Sequence, residues 1–147
     1  MIELITTVII TVSSVLLFAY WFRYTCLLIL SAKTTRDFAF QVANANQLGF
    51  LEVQSQLRAS AGNLDCLRDT LDRDYAVLSR LLKQAGTQEG SSLEQTMLGL
   101  NYRVMSACYR LSSSFSPAAA RKALEEMSMV VAHFANSMGQ LTEGAAA

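Results

Sequence analysis

Residues 1–33, MIELITTVIITVSSVLLFAYWFRYTCLLILSAK, decide how everything after them is read. From Leu4 to Phe22 no side chain is charged, and the polar ones are Thr6, Thr7, Thr11, Ser13, Ser14 and Tyr20. A helix of roughly 20 such residues crosses a hydrocarbon core of about 30 Å. The hydroxyls are tolerated because they bond back to carbonyls of their own helix. Tyr20, Trp21, Phe22, Arg23 and Tyr24 follow. Amphipathic rings beside a cation are what a membrane–water interface selects. The spacing therefore predicts a span over 2–22 with its interface at 20–24. A register over 12–32 ranks second, because it would hold Arg23 near mid-bilayer at a cost of roughly 2.5–3.5 kcal/mol. The apolar remainder, 25–32, must rest among headgroups, continue the helix under tilt or be covered by protein. Residues 1–31 are thus read as one transmembrane and interfacial unit.

A cleaved signal peptide would open with a basic segment and end at a small-x-small site. Here Glu3 is the only charge before the run, and no such site follows it. No Lys or Arg precedes the span, whereas Arg23, Lys33 and Arg36 follow it closely. That bias predicts the N-terminus outside and the rest of the chain in the cytoplasm.

The chain has 147 residues, with 12 basic and 12 acidic side chains and a net charge of zero. Beyond the span roughly 115 residues remain, enough for one small domain with its own core. Balanced charge excludes nucleic acid as the expected partner, which wants a basic surface. Cys26, Cys66 and Cys108 stand apart, so reduced thiols used as small packing residues are expected.

Helices are expected throughout the remainder, because the only proline is Pro117 and alternating β-branched runs are lacking. Four are read there. The first covers 32–59, with Gly49 as its weak point. Its apolar residues, among them Phe38, Phe40, Phe50 and Leu51, fall on several faces, and Asn44 and Gln47 interrupt them. A helix apolar on several sides is covered on several sides. It is expected either to sit centrally or to offer Phe38, Phe40, Asn44, Gln47, Phe50 and Leu51 to a partner, the polar pair fixing register.

Gly62 suits the left-handed position after that helix, and Asn63 suits the cap of the next. The second helix, to about residue 85, carries a seam of Leu64, Leu67, Leu71, Tyr75, Leu78 and Leu82. Its aspartates and arginines, Asp74 included, are read as a solvated face. The stretch 85–92 reads as an exposed loop, and Ser92 with Gln95 matches a capping box. The third helix is expected to bury Leu93, Met97, Leu100, Val104, Cys108 and Leu111, with Tyr102 and Tyr109 on the flank. Ser116 and Pro117 start the fourth. Its seam is Ala120, Leu124, Met127, Val131, Phe134, Met138 and Leu141. Gly139 is expected to weaken or end it, and residues 144–147 to form an unanchored tail. The fold expected is all-α: one transmembrane helix, then an antiparallel bundle of about four helices over 32–143.

The chain's one histidine, His133, excludes sites that need several. The text Ala132-His133-Phe134-Ala135-Asn136-Ser137-Met138-Gly139 resembles the A-H-x-x-K-G pattern of the phosphotransfer domains of two-component signalling. Asn136 stands at the expected lysine and Ser137 at the expected glycine. The resemblance implies a phosphoacceptor role for His133. Met127, Met129 and Met138 beside it raise a third option, a His/Met-ligated haem or copper. No nucleotide loop, nucleophile elbow or complete catalytic set can be assembled, so neither enzyme nor cofactor is expected. The favoured reading is a scaffold, accessory subunit or assembly factor. It would contact the lipid bilayer and either a membrane-protein partner or further copies of itself.

Overall fold

In the computed structural model the described residues are 1–32, 36–86 and 89–147, with 89–91 described by backbone alone. Among them are six α-helices and no strand: α1 (Ile2–Ser31), α2 (Ala39–Asn46), α3 (Phe50–Arg58), α4 (Leu64–Gln84), α5 (Glu89–Ser112) and α6 (Pro117–Ala146). They form two compact units, Met1–Ala32 and Lys33–Ala147.

The first unit is α1, 30 residues without a break. It is long and apolar enough to cross a bilayer. Thr6, Thr7, Thr11 and Thr25 donate to the carbonyls of Ile2, Glu3, Thr7 and Trp21, at 2.8–2.9 Å. This is the bonding that lets hydroxyls sit in hydrocarbon. The helix continues through 25–31, one of the fates expected of that segment.

The second unit departs from the expected four helices. The stretch read as one helix over 32–59 is two, separated by a turn at 47–49; residues 33–35 lie outside the described set. Gln47 takes a left-handed conformation at φ 53°, and the Leu48 N–H returns to the Ala43 carbonyl at 2.9 Å. Both close α2 in the manner of a helix stop. The Gly49 N–H, at the start of α3, donates to Asp74 Oδ2 on α4 at 2.7 Å. Asp74 is accordingly buried, which corrects its place on a solvated face. A buried carboxylate needs donors, and this one receives an otherwise unmatched helix N–H.

Several local expectations hold. Gly62 is left-handed at φ 89°, and Asn63 Oδ1 accepts the Asp65 N–H at 3.0 Å. Ser116 Oγ accepts from Ala119, with Pro117 in the first turn of α6. The α4 seam buries Leu67, Leu71, Leu78 and Leu82. In α6, Ala120, Leu124, Met127, Val131 and Phe134 are buried as expected.

Three features differ. The expected loop at 85–92 lies partly outside the described residues, but α5 already runs from Glu89, so Ser92 is inside a helix and not its cap. The helix α6 runs through Gly139 and Gly144 to Ala146. It also holds the central place considered for the first helix, packing against α2, α3, α4 and α5. Burial of Ala123 and Val130 on one side of its seam and of Ala135 on the other makes it apolar on more than one side.

The largest correction concerns α5. Its inward face is Leu98, Asn101, Tyr102, Met105 and Tyr109, and the Leu93–Leu111 stripe faces outward. Long-range polar pairs decide the rotation. Tyr102 donates to Asp72 at 2.7 Å and Tyr109 to Asp65 at 2.6 Å, both on α4. Asn101 donates to Glu126 on α6 at 2.9 Å. Tyr75 stacks on Tyr102 with centroids 4.1 Å apart and planes 3° from parallel. A buried aromatic brings more area than an aliphatic, and stacking adds about 0.5–1.5 kcal/mol. The tyrosines therefore take the inside.

Candidate protein-docking surfaces

The rotation of α5 leaves a helical apolar stripe on the surface. Leu93 is 67% exposed, Leu100 52% and Leu111 71%, with Val104 and Met97 less so. Their spacings of four and three, carried from 104 to 111 by the exposed Ala107, are those of a coiled-coil seam. Scattered exposed leucines are ordinary, whereas an aligned apolar row is a candidate contact surface. Phe115, fully in solvent just past α5, and the exposed Cys108 lie toward the same end.

Beside the stripe runs a groove of about 630 Å³ between α4 and α5, lined in part by Tyr75, Ser79, Arg80, Lys83, Thr96 and Arg103. It exists because these two helices meet through tyrosine side chains rather than by close backbone approach. Phe134 of α6, in contact with Tyr75 at 5.7 Å, forms part of its wall.

The expected contact residues of the first stretch are divided by the fold. Phe40, 62% exposed, and the exposed Asn44 and Gln47 lie on the outside of α2 and its end. Phe50 is enclosed in the domain's own core, and Leu51 is half-buried. Phe38 is half-buried against α6: its backbone N–H donates to Asn136 Oδ1 at 2.9 Å, and its ring lies over Gly139. A second groove, of about 870 Å³, opens beside this junction, with the Arg36–Glu143 ion pair among its lining residues.

His133 Nε2 lies 2.7 Å from Glu94 Oε1 and ties α6 to α5. Asn136, at the position of the lysine in the phosphotransfer pattern, holds the start of α2. Ser137 Oγ donates to the His133 carbonyl. Met127 is in the core, Met129 is on the surface and Met138 is half-buried. Among the described residues no group of three or more His, Cys, Asp or Glu side chains is gathered as for a metal ion. On α1, Tyr20, Trp21 and Tyr24 are exposed, Phe22 and Arg23 are half-buried, and the two tyrosine rings stack at 6.5 Å.

Sequence reasoning missed the Tyr–Asp pairs. Their signal was the seven-residue spacing shared by Asp65 with Asp72 and by Tyr102 with Tyr109. Burial, and then the bond to the Asp65 carboxylate, push Tyr109 up to about 12. Burial first, then the bond to Asp72, also raises Tyr102 above the ordinary phenol value. A phenol next to a carboxylate holds its proton because ionisation would face a like charge. No protein-family model, curated protein or solved structure matches this chain.

Proposed function

We propose that the chain is a single-pass membrane protein whose helical domain, on the cytoplasmic side, works without catalysis as a scaffold, accessory subunit or assembly factor. The observation that carries this is the uncovered apolar stripe on α5, flanked by a groove and set on a helix whose opposite face is already packed. The length and apolarity of α1 support the anchor, and the basic residues that follow it support the orientation. An antiparallel arrangement of α4, α5 and α6 is supported by pairs that run in opposite sequence directions. These are Asp65–Tyr109 with Asp72–Tyr102, and Glu94–His133 with Asn101–Glu126.

The test is site-specific photo-crosslinking in the native membrane, with a photoreactive phenylalanine at position 100, on the stripe, or at position 40, on α2. A discrete adduct from position 100 is the expected result. Absence of adducts from both positions would remove the reading.

A further inference from the structure

We propose that the α5 stripe and the α4–α5 groove together seat one amphipathic helix of a protein partner, its acidic flank turned toward the groove. This rests on the protein-contact reading above and names the chemistry of the partner.

The stripe is a single row over residues 93–111, about 27 Å at the rise of a helix, which matches one helix laid alongside. Among the described residues its groove-side flank carries cations, and the other carries Glu94, which His133 holds. Arg103 of α5 lines the groove with Arg80 and Lys83 of α4, and Arg110, seven residues on, shares the flank of Arg103 beyond the groove. All four are exposed, and none forms an ion pair among the described residues. Among the described residues no acidic side chain lines the groove. Ser79 Oγ, in the groove wall, is shut from solvent without a hydrogen-bond partner. An incoming carboxylate would complement the cations.

A second copy of this chain does not fit the same surface. In an antiparallel pairing of two α5 helices, the arginine flank would face itself. In a parallel pairing it would face the flank of Asn101 and Cys108, where the one acid, Glu94, is held by His133. Among the described residues neither geometry gives the cations a free carboxylate. A bilayer surface is flat, whereas half of this site is concave.

The test uses the full chain in phosphatidylcholine nanodiscs and a fluorescent 21-residue helical peptide. The peptide has leucines at core positions and glutamates on both flanks, and a twin carries lysines instead. Fluorescence anisotropy should show the glutamate peptide binding at least tenfold tighter than its twin. Arg103→Glu with Arg110→Glu should reverse that order, and Leu100→Glu should weaken both peptides at least tenfold. All three side chains point outward, and unchanged circular dichroism of the variants would show that the fold is kept. Equal binding of the two peptides, no binding of either, or indifference to charge reversal would overturn the proposal. So would a Cys108–Cys108 cross-link between copies that blocks the peptide, or displacement of the peptide by anionic vesicles. Crosslinks from position 100 combined with indifference to charge would leave the contact reading standing and sink this inference alone.

Discussion

At the scale of single residues, two phenols and two carboxylates set the rotation of a whole helix. Tyr102 and Tyr109 are buried and donate to Asp72 and Asp65, and Arg68 lies over the Tyr109 ring at 5.7 Å and beside Asp72 at 3.5 Å. The neutral phenol is the form that fits, so folding raises the tyrosine pKa. A group raised on folding contributes stability fully below its unfolded pKa, here about 10, and loses it as pH rises through the folded value. For Tyr109 the window runs from about 10 to about 12. In an alkaline titration followed at 295 nm, Tyr102 and Tyr109 should ionise above the ordinary phenol value and together with loss of helical circular dichroism. Tyr109→Phe should remove one late step. Ionisation of all five near the ordinary phenol value with helicity intact would contradict the assignment.

At the scale of elements, α6 is the helix that the others use, and Gly139 shows how. A Cβ there would lie 2.2 Å from Phe38 Cβ and 2.8 Å from its Cγ, near the backbone of α2 where little can yield. Gly→Ala inside a helix otherwise gains roughly 0.5–1 kcal/mol. Overpacking of this kind costs about 1–3 kcal/mol, so the clash wins. Gly139→Ala should therefore lower stability in chemical denaturation. Gly144→Ala, with open space around it, should leave stability unchanged or slightly higher. Equal stability of Gly139→Ala and the parent would mean that α2 does not dock as described. The glycine that reads as a helix stop is in the sequence for a reason that sequence alone does not display: a ring from a residue about 100 positions earlier needs its space.

At the scale of the whole molecule, a helix long and apolar enough to cross a membrane and a helical domain share one chain, and the proposed orientation joins them. Cys66 and Cys108 are exposed free thiols on the domain. A membrane-impermeant maleimide should leave them unlabelled in intact cells and label them once the membrane is opened. Labelling in intact cells would reverse the proposed topology. The apolar run, the helix caps at Asn63 and Ser116, the turn at Gly62 and the seams of α4 and α6 are all legible in the sequence. Each is decided by neighbours within a few residues, or by a periodicity with one dominant stripe. The break at Gln47, the burial of Asp74 and the inward face of α5 were not legible. Helix α5 has two heptad rows, Leu98-Tyr102-Met105-Tyr109 and the Leu93–Leu111 stripe, and hydrophobicity by itself ranks the aliphatic row first. Local chemistry thus determined that these segments are helices and where most of them start. Tertiary structure decided which row turned inward, because the bonds that break the tie join residues 25 to 44 positions apart.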